Sequence, residues 1–358
     1  MSQQSATGSD LELAYIELYV EDLDAQRDIF VERYRFRVAG TAGSPEQGFR
    51  SVALTQGRVT LVLTEGLADE HPATGYVESH GAGVADIAMR THDVEAVFAA
   101  AIAAGAVTDS PPRTDADPVT ASVRILGDIG HTFIQAVPGA DTALPAGFTP
   151  VPPRHRDDPE LLDVIDHFAL CVPVGFVDQA VAFYTSALAF EQIFEEWIVV
   201  GRQAMNSKVV RSTDGSVTLT IIEPDPAREQ GQIDEFLKNH DGSGVQHVAF
   251  ATGDIIDTVD SLRRGGVDFL KTPGTYYDVL TDRIVPDTHT VDELRAQDVL
   301  VDQDEGGEMF QIFTRSAHPR KTLFFEIIER MGAQTFGSAN IKALYEAVEL
   351  ERSEIRLW

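Results

Sequence analysis

The sequence predicts an α+β fold assembled from four βαβββ units. Two observations carry this prediction. The second half of the chain repeats patterns of the first, and within each half a short apolar strand, a helix and further strands follow one another twice. Repetition at a nearly constant offset indicates a duplicated domain. Units in which one helix is followed by several strands form mixed sheets, which can curl around a central cavity.

Three pairs of segments show the repeat. The matching pairs are residues 79–89 with 239–250, 59–65 with 217–223, and 15–20 with 167–172. In the first pair Asp86 corresponds to His247, 161 positions further along the chain, and the second pair has an offset of 158. Offsets this similar over most of each half favour duplication over chance.

A proline-rich stretch separates the two halves. Residues 137–160 contain six prolines and no hydrophobic periodicity. Because proline lacks a backbone donor and restricts the residue before it, this stretch is predicted to be an extended linker. We therefore place the domain boundary near residue 150, with an N-terminal domain at 1–150 and a C-terminal domain at 151–358.

The elements of the second half follow from the spacing of apolar residues. Short apolar runs predict strands, and apolar residues recurring every three to four positions predict helices. The predicted strands are 164–172, 192–195, 208–211, 217–222, 245–251, 299–302, 309–314 and 323–329, and the predicted helices are 177–188 and 255–264. Residues 340–352 are predicted to form a final amphipathic helix, because their apolar side chains lie on or near one face.

The composition excludes several classes of function. Acidic residues outnumber basic residues by 57 to 28, which gives a net charge of −29. Such a chain repels phosphate backbones and anionic headgroups, so binding to nucleic acid or to a membrane is not expected. A single cysteine, Cys171, excludes an intrachain disulfide. Since no basic segment followed by an apolar one opens the chain, the sequence predicts a cytoplasmic protein.

Three predicted strands of the second half carry an ionisable residue among apolar ones: His167, His247 and Glu326. Because side chains alternate across a strand, each shares its face with apolar neighbours two positions away. A carboxylate buried there is costly unless it is paired or bound to a cation. The two intervals are 80 and 79 residues, and in a repeated fold similar intervals can bring equivalent strands to one place.

Two histidines and one carboxylate form the facial triad of non-haem Fe(II) oxygenases, which leaves coordination positions open for substrate and O2. Taken singly, a strand histidine is more often an ordinary core or surface residue, and a strand glutamate more often faces solvent. The joint pattern favours a metal site. In the first half the matching positions are Tyr15 and Asp86, so the N-terminal domain is expected to be structural and to hold no metal.

The second half resembles the 4-hydroxyphenylpyruvate dioxygenase family of the vicinal-oxygen-chelate superfamily. The motifs that carry the resemblance are DHF at 166–168, GVQHVA at 244–249, TYY at 275–277, LVD at 300–302, FQIFT at 310–314, FFEIIER at 324–330 and FG at 336–337. The resemblance implies that His167, His247 and Glu326 bind Fe(II). It also implies that the four units pair into two open barrel-like domains, with the C-terminal helix closing the active-site cavity.

The resemblance further implies one substrate and two alternative products. Members of the family bind 4-hydroxyphenylpyruvate and O2 and decarboxylate the keto acid oxidatively. One branch then hydroxylates the ring and moves the side chain, which gives homogentisate. The other branch hydroxylates the benzylic carbon, which gives 4-hydroxymandelate, a product that points to peptide-antibiotic biosynthesis. Because the substrate carries its own keto acid, no 2-oxoglutarate site is expected.

Two departures from the dioxygenase pattern favour (S)-4-hydroxymandelate as the product. The sequence TIIEP at 220–224 stands where dioxygenases typically have PINEP, and ANI at 339–341 stands where they have GNF. We therefore expect Thr220, Ile222 and Ile341 to set specificity, since Ile222 removes a polar contact and Ile341 changes the cavity shape. Small shifts of a reacting group redirect chemistry. The stretch AMNS at 204–207 favours the same branch.

Further pocket residues are implied by position in the family pattern. The expected substrate contacts are Ser207, Thr220, Gln232, Gln246, Gln311, Phe313, Phe336 and Ile341. Taken alone, each glutamine would be read as a surface amide, and Phe336 as a core residue. No catalytic residue is expected beyond the metal ligands, and Asp166 and Glu223 are given no role. The remaining eight histidines are expected to be solvated or to lie in loops.

Other functions remain as alternatives. The nearest is the homogentisate-forming dioxygenase itself. A more distant one is a divalent-metal isomerase or lyase of the same fold, for which Glu223 is the obvious fourth ligand. A ligand-sequestering protein without a working metal site is a third. Proteins with four such units often dimerise, so a homodimer is a further hypothesis.

Overall fold

A computed structural model of the protein describes residues 11–114, 118–135, 144–152 and 160–342. Its first sheet consists of β1 (Glu12–Tyr19), β2 (Arg37–Ser44), β3 (Phe49–Gln56), β4 (Val59–Gly66), β5 (Gly83–Thr91), β6 (Val107–Ser110), β7 (Thr120–Ile125), β8 (Ile129–Gln135) and β9 (Thr149–Pro150). The accompanying helices are α1 (Leu23–Asp28, continued by a π-helical turn at Ile29–Arg33), α2 (Pro72–His80) and α3 (Val94–Ala103), with a 3-10 turn at Pro45–Gln47.

The second sheet repeats this arrangement. Its strands are β10 (Ile165–Cys171), β11 (Glu191–Val200), β12 (Gln203–Arg211), β13 (Thr218–Pro224), β14 (Gly244–Ala251), β15 (Leu300–Asp304), β16 (Gly307–Phe313) and β17 (Phe324–Met331). The helices are α4 (Val177–Ala187), α5 (Gln232–His240), α6 (Ile255–Arg264), α7 (Gly274–Asp278), α8 (Leu280–Arg283) and α9 (Val291–Ala296).

The strand orders confirm the α+β fold of four βαβββ units. The second sheet runs β11-β12-β13-β10-β14-β17-β16-β15, so each unit contributes four neighbouring strands and the antiparallel pair β10·β14 joins the two units. The first sheet has the same order, β2-β3-β4-β1-β5-β8-β7-β6, with β9 added beside β2. Both sheets are open and curled, which is the predicted half-barrel arrangement.

The duplication extends to individual β-bulges. In the first sheet Tyr15 lies opposite Ala88, directly after a shift of register. In the second sheet His167 lies opposite Ala249, again directly after such a shift. The predicted equivalence of Tyr15 and His167 is therefore present in the strand pairing itself.

Local sequence explains how the helices begin. The Asp22, Asp93 and Asp254 side chains each accept a hydrogen bond from a backbone N–H in the first turn of the helix that follows. An acceptor at this position satisfies a donor that the helix cannot pair internally. The predicted helix 255–264 coincides with α6. Helix α5 was not predicted, although Ile233, Phe236 and His240 show helical spacing.

The two sheets pack against each other through an aromatic cluster. The Phe30 and Phe325 ring centroids lie 5.6 Å apart, and those of Phe36 and Phe250 lie 6.2 Å apart. All four side chains are buried. Full burial of a phenylalanine side chain contributes roughly 1.5–3 kcal/mol. The buried apolar residues of both halves form one continuous core.

Two predicted segments are only partly within the described residues. Of the predicted linker 137–160, residues 144–152 and Glu160 are described, and Thr149–Pro150 forms the short strand β9. Of the predicted helix 340–352, residues 340–342 are described and are helical, in a turn that begins at residue 338. Across the described ranges, no helix is long and apolar enough to cross a membrane.

Candidate metal centre and substrate cavity

The three predicted metal ligands lie on three neighbouring strands in the middle of the second sheet. His167 is on β10, His247 on β14 and Glu326 on β17. Strand pairing brings them together, because His247 lies opposite Ala169, and Glu326 lies opposite Ala249, which is two residues beyond His247. Since alternate residues share a face, all three side chains point to the concave side of the sheet.

Their side-chain atoms converge. The Glu326 Oε2 atom lies 3.5 Å from His167 Nε2 and 3.4 Å from His247 Nε2. One donor atom from each residue falls within 4.8 Å of the others, the only such group of three or more among the described residues. His167 is 3 % exposed and Glu326 2 % exposed, so the donors face each other in a site largely shielded from water.

The chemistry of this donor set fits a divalent metal. The second Glu326 oxygen, Oε1, is buried and accepts no hydrogen bond, which is costly for a carboxylate that binds no cation. Burial lowers the pKa of His247, which favours the neutral imidazole that metals bind. Two imidazole nitrogens and one carboxylate on one side match the triad of non-haem Fe(II) oxygenases.

An outer carboxylate orients the first histidine. Asp166 Oδ1 lies 2.8 Å from His167 Nδ1, which leaves Nε2 free to face the other two ligands. Although burial acts to raise it, hydrogen bonds from His167 and Arg330 hold the pKa of Asp166 well below its usual range. Metal-binding histidines commonly donate their second N–H to such a carboxylate. Asp166, which the sequence left without a role, therefore belongs to the metal centre.

A cavity of about 620 Å³ opens above the triad. Of the residues expected to contact substrate or set specificity, eight line it: Ser207, Thr220, Ile222, Gln232, Gln246, Phe313, Phe336 and Ile341. Gln311 is not among the residues that line the cavity. Its side chain is buried, and its amide packs so closely on Gly337 that a Cβ there would lie 2.4 Å from it. All of these assignments to substrate stay predictions.

The described first turn of the final helix, residues 338–342, reaches this cavity. Ile341 lines it, and Lys342 Nζ lies 3.5 Å from a carboxylate oxygen of Glu196 on β11. Phe194, Glu196 and Ile198 also line the cavity, and sequence reasoning missed all three. Their period of two along one strand was the available signal.

Comparison with known proteins places the chain. Residues 12–133 and 164–312 match the family model of the Glyoxalase/Bleomycin resistance protein/Dioxygenase superfamily. A 4-hydroxyphenylpyruvate dioxygenase from Neurospora crassa is 35% identical over 303 residues, which cover 78% of this chain and 72% of the relative. One from Caenorhabditis elegans is 33% identical, with 84% and 81% covered. The chain belongs to the 4-hydroxyphenylpyruvate dioxygenase family.

A solved structure is more similar in sequence to this chain than these two relatives are. It is a variant of 4-hydroxymandelate synthase from Streptomyces coelicolor, 42% identical, with a TM-score of 0.85 and coverage of 97% of this chain and 99% of its own. Family membership, together with the convergence of the three predicted ligands, confirms the expected non-haem dioxygenase and its Fe(II) cofactor.

In this member of the family, the N-terminal sheet carries different residues at the equivalent positions. Tyr15 replaces His167 and Asp86 replaces His247. The register of β5 on β8 places Thr132 opposite Ala88, where the second sheet has Glu326 opposite Ala249. Burial, with a smaller effect of Glu17, raises the pKa of Asp86 to about 8. Its Oδ2 atom has no hydrogen-bond partner.

Glu223 does not serve as a ligand. Its Oε2 atom accepts hydrogen bonds from the backbone N–H groups of Gly175 and Val177, at 2.7 and 3.2 Å. The carboxylate thus satisfies free donors at the start of α4. This position gives no support to a fourth protein ligand of the kind that the isomerase alternative requires.

The expectation that the remaining histidines are solvated or in loops is wrong for three of them. His80, His131 and His240 are buried. The rings of His80 and His240 stack at 4.4 Å between the two halves of the chain, and His131 Nε2 lies 2.9 Å from the Tyr184 hydroxyl. Burial lowers the pKa of both His131 and His240 to about 4, so these two are neutral parts of the interface between the halves. His155 lies outside the described residues.

Proposed function

We propose that the protein converts 4-hydroxyphenylpyruvate and O2 to (S)-4-hydroxymandelate and CO2. In this conversion one oxygen atom of O2 enters the new carboxylate and the other enters the benzylic hydroxyl group. The keto-acid carboxyl leaves as CO2. The observation that carries the proposal is the presence of Ile222 and Ile341 together in the wall of the cavity above the triad.

These two isoleucines stand where the dioxygenase pattern has an amide and a phenylalanine. Removal of the amide takes away a hydrogen-bonding group, and removal of the aromatic ring leaves space beside the final helix. Both changes alter where an aryl ring can rest. Because reactivity depends on sub-ångström placement of the reacting atom, such changes can bring the benzylic carbon, rather than the ring, to the reactive position. The 42% identity to a 4-hydroxymandelate synthase supports the same choice.

Fe(II), when bound, supplies the open coordination positions and the redox chemistry for oxidative decarboxylation of the keto acid by O2. His167, His247 and Glu326 would hold it, and Asp166 keeps the His167 ring in one orientation. The aromatic side chains of Phe194, Phe313, Phe324 and Phe336 line the cavity and give it apolar walls. Ser207, Thr220 and Gln246 offer the polar groups on the wall that orient the bound substrate.

Product analysis tests the proposal. Purified protein loaded with Fe(II) under anaerobic conditions is mixed with 4-hydroxyphenylpyruvate and O2, and the products are identified by mass spectrometry and NMR. We expect 4-hydroxymandelate with one equivalent each of O2 consumed and CO2 released. Homogentisate as the main product would overturn the proposal in favour of the reaction for which the curated relatives are named.

A pair of substitutions tests the reasoning behind it. The double variant Ile222→Asn, Ile341→Phe restores the dioxygenase pattern and is expected to shift product toward ring hydroxylation. Ile198→Phe is the matched control, because it adds an aromatic ring to the same cavity from β11. An unchanged product ratio in the double variant, or an equal shift in the control, would contradict the orientation argument.

The homodimer and the cytoplasmic location stay predictions.

A further inference from the structure

Arg330 lies at the end of β17 and is bound to the carboxylate that orients the metal ligand His167. Its Nε and Nη2 atoms donate to the two oxygens of Asp166 at 2.7 and 2.9 Å. Asp166 Oδ1 is also the partner of His167 Nδ1. All three side chains are mostly buried. This two-point contact holds the Asp166 carboxylate in one plane, since the guanidinium fork matches the carboxylate geometry.

The third nitrogen of Arg330 binds a different part of the chain. Nη1 donates to the carbonyl oxygens of Ala333 and Thr335 at 3.1 and 2.7 Å. The guanidinium also lies over the Phe336 ring, 5.1 Å from its centroid. Arg330 therefore fixes the segment 333–336, which leads directly into the final helix.

Phe336 in turn contacts the metal ligand His167, so the contacts of Arg330 lead back to the metal centre by a second route. The Phe336 ring meets the His167 ring edge to face, with centroids 5.4 Å apart and an interplanar angle of 89°. Phe336 also lines the substrate cavity. One arginine thus holds both the orientation of a metal ligand, through Asp166, and the position of an aromatic wall. Arg330 and Phe336 are separated from Asp166 by more than 160 residues of sequence.

We propose that Arg330 is a positioning residue that sets the Phe336 wall relative to the metal ligand His167 and so helps to select the product. The proposal deepens the function proposed above and rests on it for the identity of that product. A lysine keeps the charge but offers one donor group in place of a planar fork. It can hold Asp166 or the 333–335 carbonyls, but it cannot hold both in the present arrangement.

Two variants separate the two roles of the arginine. Asp166→Asn removes the oriented carboxylate and is expected to lower Co(II) affinity, measured by calorimetry on metal-free protein, by roughly 10–100-fold. Arg330→Lys is expected to lower it less, because Asp166 still faces His167. In Arg330→Lys, amide hydrogen exchange at 333–337 in the metal-free protein should instead rise by about tenfold, as expected for the loss of one or two hydrogen bonds.

The matched control is Arg263→Lys. Arg263 pairs with Asp298 at 3.2 Å and lies over the Phe269 ring at 5.5 Å, so it offers the same chemistry away from the triad. We expect Arg330→Lys, but not Arg263→Lys, to change the product ratio from 4-hydroxyphenylpyruvate. The proposal is overturned if Arg330→Lys leaves hydrogen exchange and product ratio as in the wild type, or if the control changes both equally.

The failure of this proposal is distinguishable from that of the proposed function. If the wild-type protein forms homogentisate, the proposed function fails. The hydrogen-exchange and Co(II) measurements still decide whether Arg330 couples the segment 333–336 to the metal ligand, because neither measurement depends on the product.

Discussion

Replacement of Asp86 by asparagine tests the electrostatics of the N-terminal domain. Asp86 occupies the position of a metal ligand in the other half, is 8 % exposed and lies near a second carboxylate, Glu17. Burial raises its pKa from 3.8 to about 8, so the folded protein keeps a proton on Asp86 at neutral pH. The unfolded chain loses that proton near pH 4.

The sign and size of the effect follow from linkage. Because the pKa of the folded state is raised, the contribution of Asp86 to stability is greatest below pH 4 and falls as pH rises toward 8. Each pH unit in that window costs about 1.4 kcal/mol. Between pH 5 and pH 8 the wild-type protein should therefore lose about 4 kcal/mol of unfolding free energy relative to Asp86→Asn, whose amide does not titrate.

Urea unfolding at pH 5, 6, 7 and 8, followed by far-UV circular dichroism, measures this difference. Metal-free protein is required, because metal binding at the triad is itself pH-dependent and stabilises the folded state. Asp24→Asn is the control, since a hydrogen bond from Arg50 lowers the pKa of this exposed carboxyl and it stays ionised throughout the range. If the wild-type and Asp86→Asn curves run parallel across the four pH values, Asp86 is ionised in the folded protein and the reasoning is refuted.

Three further predictions concern the C-terminal domain. Glu326→Ala should abolish O2-dependent turnover and lower Co(II) affinity by more than the roughly 10–100-fold that loss of an outer partner costs; calorimetry showing wild-type affinity would remove Glu326 from the ligand set. Cys171 is 0 % exposed, and burial raises the pKa of its thiol, so mass spectrometry should find it unmodified by a maleimide at pH 8 until the protein is unfolded. Glu223→Gln should cost about 1 kcal/mol of stability, measured by urea unfolding, through weaker contacts at the start of α4, and should leave Co(II) affinity unchanged; a large loss of that affinity would restore Glu223 as a ligand.

The metal ligands were accessible to sequence reasoning because two simple regularities meet at them. Alternation along a strand marks His167, His247 and Glu326 as ionisable residues on apolar faces. The repeat then predicts that their strands are equivalent, and the structure places them side by side in the sheet. The first inference uses only the pattern along each strand, and the second uses only the duplication of the chain.

The partners of those ligands could not be found in this way. Arg330 and Asp166 are more than 160 residues apart, and only the pairing of β14 with both β10 and β17 brings them within hydrogen-bonding distance. The contact between the stacked rings of His80 and His240 could not be predicted from the sequence either. The repeat makes these two histidines equivalent, but their contact depends on how the two sheets face each other, which no periodicity within one half determines.

The contrast between the two halves shows what the shared fold imposes and what it leaves open. Both sheets place the same three strand positions on a concave, largely enclosed face, so a polar residue there must find a partner for its charge. In the C-terminal half, Glu326 faces two histidines and the set fits a metal ion. In the N-terminal half, Asp86 lies opposite Glu17 on β1 and near Tyr15 and Thr132, and burial raises the pKa of Asp86 to about 8. We therefore expect the C-terminal site to compensate its carboxylate with a metal ion and the N-terminal site to do so with a proton, and the Asp86→Asn titration tests the second of these expectations.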